Sequence, residues 1–431
     1  MAKRKDKAYK VSEEGKGIGC LGSVGVFLLL VLAGLELMIA GAGDSGGIDI
    51  GRIGETIPIL QDEGEQPNDD GSPEAEGEEA AQDEEAEEEE QSEELARELE
   101  GYYYYSQLGE ADRRKYEVMY TAFVQRTQGD FPSTSNEDLE RIYECVMGDH
   151  PELFYVSGVS TSIVTGSDVA QVEGSYIYSE DEAAQLAPQI DAAVSEAIAG
   201  IPDDADDYAK AKHVYEYLVG HVTYDHAALE ALDSGQYLGQ TVVDSLIDGN
   251  AVCAGYSRAF QMAMYQMGIP CAYVSGVLND GESHSWCLVQ LDGEYYYIDP
   301  TFGDPSYSDD AGGSYETDTA DYTYLGITTA DAQLSRTFDR PNLLAECTSD
   351  ADNYYVREGR VLSSFDTVQL QQWWDDCMAA GEGNFQFRCA DADVYSQVMD
   401  GLSNMTIFAG GVGYTYNSDD DMHTLIVSPD M

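Results

Sequence analysis

The chain has 431 residues, with 82 acidic side chains against 21 basic ones and a formal charge of −61 at pH 7. Binding nucleic acid takes a basic face that neutralises phosphates, so this balance excludes nucleic acid as a partner. It makes an anionic lipid surface equally unattractive, while the length leaves room for a membrane segment, a linker and one or two folded domains.

Residues 1–17 run against the acidic trend. Lys3, Arg4, Lys5, Lys7, Lys10 and Lys16 form a basic tail, and an apolar run over residues 18–42 follows. At about 1.5 Å per residue this run is long enough to cross a hydrocarbon core about 30 Å thick. The positive flank predicts the tail in the cytoplasm and all that follows outside the cell membrane. Glu36 breaks the run near its outer end, within reach of the headgroups. The expectation is a single-pass transmembrane anchor. The small residues Ala40-Gly41-Ala42 leave open cleavage near Ala42 and a secreted product.

Residues 43–100 carry 23 acids between Asp44 and Glu100 against Arg52 and Arg97. Such a segment repels itself and has nothing to bury, which predicts a disordered linker.

From Gly101 the composition becomes globular, although acids still outnumber bases 55 to 13. That describes a solvated acidic surface that attracts cationic substrates. A helix is predicted over 108–125, with Tyr116, Met119, Tyr120 and Phe123 on one face. A second begins near Ser135, where Ser135 and Asp138 have the spacing of a capping box. "DHPELFYVSGVSTSIV" turns toward strand. Further helices fit 180–199, 206–219 and 242–247. After Cys253 the residues Tyr256, Phe260, Ala263, Met264 and Met267 keep a helical period until Gly268-Ile269-Pro270 stops it. Three strands follow, "CAYVSGV", "SHSWCLVQL" and "EYYYIDPTF", the last two joined by the hairpin turn Asp292-Gly293. Residues 346–431 read as a small α+β accessory unit: a hairpin in "NYYVREGRVL", a helix in "DTVQLQQWWDDCMAAG", a strand in "NFQFRCA", a helix in "DADVYSQVMDGLS" and a closing hairpin. Cys377 and Cys389 are a candidate disulfide, joining a helix end to the next strand; buried free thiols are the alternative.

The hairpin turn sets a register. If Leu291 faces Glu294, then Asp299 faces Trp286, and His284 lies two residues along on the same face, diagonal to Asp299. A His–Asp pair therefore shares a sheet face, and Cys253 stands at a helix start upstream. A helix N-terminus and a nearby imidazole both favour the thiolate, and a carboxylate orients that imidazole. These are the components of nucleophilic acyl transfer, a reaction for which no cofactor is expected. The histidines show no ligand spacing with cysteines, and the acidic clusters lack calcium-loop spacing, so no metal is expected either.

"GNAVCAGYSRAFQMAMYQMGIPCAYVSG" followed by "SHSWCLVQLDGEYYYIDPTFGDP" resembles the transglutaminase-like superfamily, through a C-x-G-Y element, an H-x-W element and a D-P-T-aromatic element. Weaker similarity extends over "YAKAKHVYEYLVGHVTYD" and "YYYYSQLGEADRRKYEVMYTAF". The resemblance implies an α+β fold with a papain-like core at residues 101–345, its N-terminal part helical. It also implies a catalytic Cys253, a base His284 and an orienting Asp299. Many relatives have Asn where Cys287 stands. Gln240 is a candidate side-chain donor to an oxyanion, and Trp286 a candidate pocket wall. The expected activity is acyl transfer on amide or peptide bonds of a protein or peptide substrate, cell-wall peptide included, by hydrolysis or transamidation. The alternative is a cell-surface binding module that keeps the fold without turnover. If the site is partly solvated, Asp299→Asn leaves stability nearly unchanged.

Overall fold

The structure, a computed structural model, describes residues 91–163, 166–232, 237–307, 320–404, 407–408 and 413–430. The expected anchor over 18–42 and the part of the expected 43–100 linker up to residue 90 lie outside them; residues 91–99, expected to be disordered, are helical instead, with Leu99 buried. Among the described residues no helix is long and apolar enough to cross a membrane. The described chain falls into two compact units, 91–193 with 264–272, and 194–263 with 273–430.

The first unit contains α1 (Tyr103–Gln107), α2 (Glu110–Gln125), β1 (Gly129–Phe131), α3 (Asn136–Asp149), β2 (Val156–Ile163), β3 (Ala170–Tyr176) and most of α4 (Glu180–Ala197). β3 is the middle strand of an antiparallel sheet, between β1 and β2. The periodic residues Tyr116, Met119 and Phe123 of α2 are all fully buried. Ser135 caps α3 by accepting the Asp138 N–H at 3.4 Å. The Asp138 carboxylate binds Lys115 and Arg141, both at 2.8 Å, in a charge network between helices. Asp149, fully buried, accepts the N–H groups of Tyr104 and Tyr105 and the Tyr116 hydroxyl, each at 2.9 Å. It thus satisfies the free amides at the start of α1, which has no side-chain cap of its own.

The second unit begins with α5 (Asp207–His221), β4 (Thr223–Tyr224), α6 (His226–Leu232), α7 (Val242–Leu246), β5 (Asn250–Ala251) and most of α8 (Cys253–Gln266). Next come most of β6 (Cys271–Leu278), then β7 (Ser283–Leu291), β8 (Glu294–Ile298), β9 (Leu325–Ile327), α9 (Thr329–Ser335) and β10 (Arg336–Phe338). The strands β6 to β10 form one sheet in the order β10-β6-β7-β8-β9. The fold is α+β, as the sequence predicts. Asp292 and Gly293 both have positive φ, 48° and 93°, as a type I′ turn requires. The β7–β8 ladder pairs Leu291 with Glu294 and Cys287 with Ile298, the register expected from that turn. The outer strands β9 and β10 have no periodicity to betray them in sequence, being three residues each.

The unit closes with α10 (Tyr354–Arg357), β11 (Val361–Leu362), α11 (Thr367–Ala380), β12 (Phe385–Cys389), α12 (Ala392–Ser403), β13 (Tyr414–Asp419) and β14 (Thr424–Pro429). Its second sheet has the order β11-β12-β14-β13. The hairpin expected in "NYYVREGRVL" is a correction. Asn353 accepts the Tyr355 N–H and starts a helical turn, and β11 then pairs in parallel with β12. An asparagine that offers the backbone this bond competes with the strand that the tyrosines favour. Trp373, Trp374, Phe385, Phe387, Val398 and Leu425 build a core of their own. Polar bonds tie these elements to the rest of the unit, so residue 345 lies inside it. Gln386 accepts the Tyr322 N–H at 3.1 Å and donates to Ala320 O at 2.6 Å. Cys377 and Cys389 are free buried thiols, and Cys377 donates to the Glu382 carbonyl at 3.2 Å.

Gly326 in β9 has φ +79°, and a Cβ there would lie 2.1 Å from the Asp352 carbonyl oxygen. Gly326→Ala is therefore expected to destabilise the protein by about 1–3 kcal/mol, measured as a lowered midpoint of denaturant unfolding.

Candidate active site

Three stretches of chain converge on Cys253. β5 ends at Ala251 and pairs in parallel with β4, with Tyr224 opposite Ala251. The Val252 N–H donates to the Gly239 carbonyl at 2.9 Å, and α8 starts at the next residue. A Cβ on Gly255 would come within 2.6 Å of the Ala251 Cβ and 2.8 Å of the Gly239 oxygen. The glycine of C-x-G-Y is thus what lets the 239–241 segment lie against the first turn of α8. Gln240 belongs to that segment and is partly exposed.

His284 and Asp299 come from β7 and the end of β8. His284 Nε2 donates to Asp299 Oδ2 at 2.8 Å. That leaves Nδ1 to face the Cys253 thiol, with which the imidazole is hydrogen-bonded. The ring lies nearly parallel to Phe302, centroids 4.6 Å apart, and to Trp286 at 6.0 Å. Trp286 has no exposed surface and packs on Phe338 at 5.5 Å, so it supports the imidazole from the core. Cys287, one residue on, points to the opposite face and donates to the Ser257 carbonyl at 3.2 Å.

Asp299 is 1% exposed and each of its oxygens is engaged. Oδ1 accepts the Phe302 N–H at 3.2 Å, while Oδ2 takes His284 and also the guanidinium of Arg336. Arg336, likewise 1% exposed, opens β10 and lies 4.8 Å from the ring centroids of Trp286, Phe302 and Tyr324. Three aromatic faces compensate part of the lost hydration of that cation.

The charges follow from this packing. Burial raises the Asp299 carboxyl, but His284 and Arg336 outweigh it and hold it down at about 2. Burial lowers the His284 imidazole, but the charge and bond of Asp299, and then Cys253, lift it to about 9. Burial raises the Cys253 thiol, yet the bond and charge of His284, with help from Ser285, bring it below the ordinary thiol range. The arrangement favours a thiolate–imidazolium pair at neutral pH. Among the described residues no three His, Cys, Asp or Glu side chains gather as metal ligands.

The sequence pattern singles out Cys253, His284 and Asp299, which the structure brings together, but not Arg336. An arginine in "LSRTFDRP", 37 residues after Asp299, carries no spacing signal. Only the pairing of β10 with β6 brings it back.

Residues 193–300 match the profile of the transglutaminase-like superfamily. That segment is transglutaminase-like, and it holds Cys253, His284 and Asp299. No curated protein matches the chain at a significant level. Among solved structures, a TGase crystal structure matches with 18% identity over 37% of this chain and 50% of its own, at a TM-score of 0.26. A proposed cysteine protease from Cytophaga hutchinsonii matches with 11% identity, 34% and 61% coverage and a TM-score of 0.22. A proposed protease from Parabacteroides distasonis matches with 11% identity, 33% and 36% coverage and a TM-score of 0.20. The chain thus spans less than two thirds of each of these proteins.

The burial of Asp299 overturns the expectation that Asp299→Asn is nearly neutral for stability. The amide leaves the Arg336 cation buried without its counter-charge, a loss on the order of 3–5 kcal/mol. Thermal melts are expected to show Asp299→Asn strongly destabilised, and Asp299→Asn with Arg336→Met partly restored.

The pH dependence has a definite sign. Asp299 is held below its unfolded value near 4, so its contribution is complete above that pH and is lost as pH falls through about 2. His284 is raised above its unfolded value near 6.5, so its contribution is complete below that pH and is lost as pH rises through about 9. Cys253 acts in the opposite sense, because unfolding the ion pair passes the His284 proton back to the thiol, so between pH 7 and about 8.5 the melting temperature of Cys253→Ala is expected to fall more steeply than that of the wild type.

Proposed function

We propose that the chain is a cysteine-dependent acyl-transfer enzyme acting on amide or peptide bonds, and that residues 18–42 anchor it with the catalytic unit outside the cell. The observation that carries the reading is the buried line Cys253–His284–Asp299, in which the imidazole bonds the thiol on one side and the carboxylate on the other. The transglutaminase-like profile over residues 193–300 supports it.

In the first half-reaction Cys253 Sγ forms a bond to the carbonyl carbon, and the C=O π pair moves onto oxygen. The intermediate collapses, the C–N bond breaks, and the imidazolium gives its Nδ1 proton to the departing amine. A thioester remains. Water or an incoming amine then attacks the thioester carbon, His284 takes its proton, and the thiolate leaves. Asp299 holds the imidazole through Nε2 and stabilises its charge. The acceptor decides between hydrolysis and transamidation. Asp280 and Glu282 stand within four residues of His284 in an already acidic surface, which favours cationic acceptors and peptides.

Incubation with p-nitrophenyl acetate is expected to acetylate Cys253 in the wild type and not in Cys253→Ala. His284→Ala should slow the burst by about 10²–10⁴. Intact mass and nitrophenolate release check both; acetylation spread evenly over the cysteines would refute the reading. Peptide and cell-wall libraries then identify the natural acyl donor.

A further inference from the structure

We propose that the hydroxyl of Tyr224 donates a hydrogen bond to the oxyanion that forms when Cys253 attacks an acyl carbonyl. The inference rests on the acyl-transfer reading and assigns its missing electrostatic partner. A tetrahedral intermediate carries a full negative charge on the former carbonyl oxygen, and preorganised donors at that position usually contribute the largest share of catalysis. The Cys253 N–H, in the first turn of α8 where amides lack intrahelical partners, is one donor. A second has to come from outside the helix.

Tyr224 is placed for it by backbone and by packing. Parallel pairing of β4 with β5 sets Tyr224 opposite Ala251, about 4.8 Å away across the ladder and two residues before the thiol. Its own N–H donates to Ser306 Oγ at 2.9 Å, in the loop that follows Asp299. The ring meets Tyr307 edge-on at 4.9 Å and Tyr256 of α8 at 6.5 Å, and Tyr307 in turn lies 6.4 Å from the His284 ring. The phenol is therefore clamped between the helix that carries the nucleophile and the loop that carries the orienting carboxylate.

The hydroxyl itself is the unexplained group. Tyr224 is 4% exposed, and its hydroxyl is buried without a hydrogen-bond partner among the described residues. The neighbouring hydroxyl of Tyr256 bonds Asp304, and that of Tyr215 donates to the Asp321 carbonyl. A buried tyrosine normally finds such a partner, and leaving one unmade costs stability. An acceptor that exists only during the reaction accounts for it. Burial, and next the negative charge at Cys253, keep this phenol protonated far above its ordinary range, so it remains a donor at every working pH.

Two reactions of the same sulfur separate this role from any other. Iodoacetamide reacts by displacement at a saturated carbon and creates no oxyanion, whereas p-nitrophenyl acetate passes through one. In full-length Tyr224→Phe, alkylation of Cys253 should proceed at the wild-type rate while acetylation slows by about 10². The melting temperature should stay level or rise, since no bond is broken. Acetylation at the wild-type rate would overturn the assignment. So would parallel loss of alkylation, which would make Tyr224 act through the thiol, or a clear drop in melting temperature, which would reveal a partner for the hydroxyl. Wild-type protein whose Cys253 alkylates but never acetylates would instead overturn the acyl-transfer reading, and this inference with it.

Discussion

The Asp299 carboxylate, buried between His284 and Arg336, is the interaction on which the site depends. A carboxylate taken out of water is unfavourable unless its charge and lone pairs are met. Here one oxygen accepts a backbone amide and the other two charged donors. The second cation has a specific consequence. With Arg336 beside it, Asp299 stays ionised whether or not His284 is protonated, so the imidazole can gain and lose its proton without leaving a lone buried charge. Arg336 is thus a positioning residue: it touches no reacting atom but fixes the group that orients the base.

Much of the local architecture serves that pair. β10 delivers Arg336 by pairing with the end of β6, Arg336 opposite Leu278. The approach is close: a Cβ on Gly276 would lie 1.9 Å from the Thr337 carbonyl and 2.7 Å from the Trp286 ring. Trp286, Phe302 and Tyr324 then surround the guanidinium, and two of these rings also flank the imidazole. Aromatic rings exclude water, which strengthens every charge inside, and their faces tolerate a cation. In a chain so rich in acid, a cation sealed among aromatic rings is shielded from competing surface carboxylates.

The parts legible in the sequence were those with local rules. A positive-φ dipeptide at Asp292-Gly293 fixed the hairpin register, and the register placed His284 beside Asp299. A small-residue turn before an apolar period marked the start of α8. The parts that were not legible depend on pairings distant in sequence. Arg336 reaches Asp299 only through β10, a three-residue strand, and Tyr224 reaches the Cys253 neighbourhood only through the two-residue strand β4. Neither is long enough to show a period. The expectation of a partly solvated site was also misleading, because nothing local in the sequence reports on the burial of one carboxylate. In the same way, Asn353 turned a tyrosine-rich run from strand to helix with a single side-chain bond.

The central claim is that this buried network keeps Cys253 ionised by pairing it with a protonated His284. Thiolates absorb near 240 nm, so the difference in absorbance between the wild type and Cys253→Ser, followed across pH, reports the charge of this one sulfur. The account predicts a thiolate signal already present at pH 7, below the ordinary thiol midpoint of about 8.5, and its return to that range in His284→Ala. A wild-type signal that first appears at or above pH 8.5, unaffected by loss of His284, would contradict it.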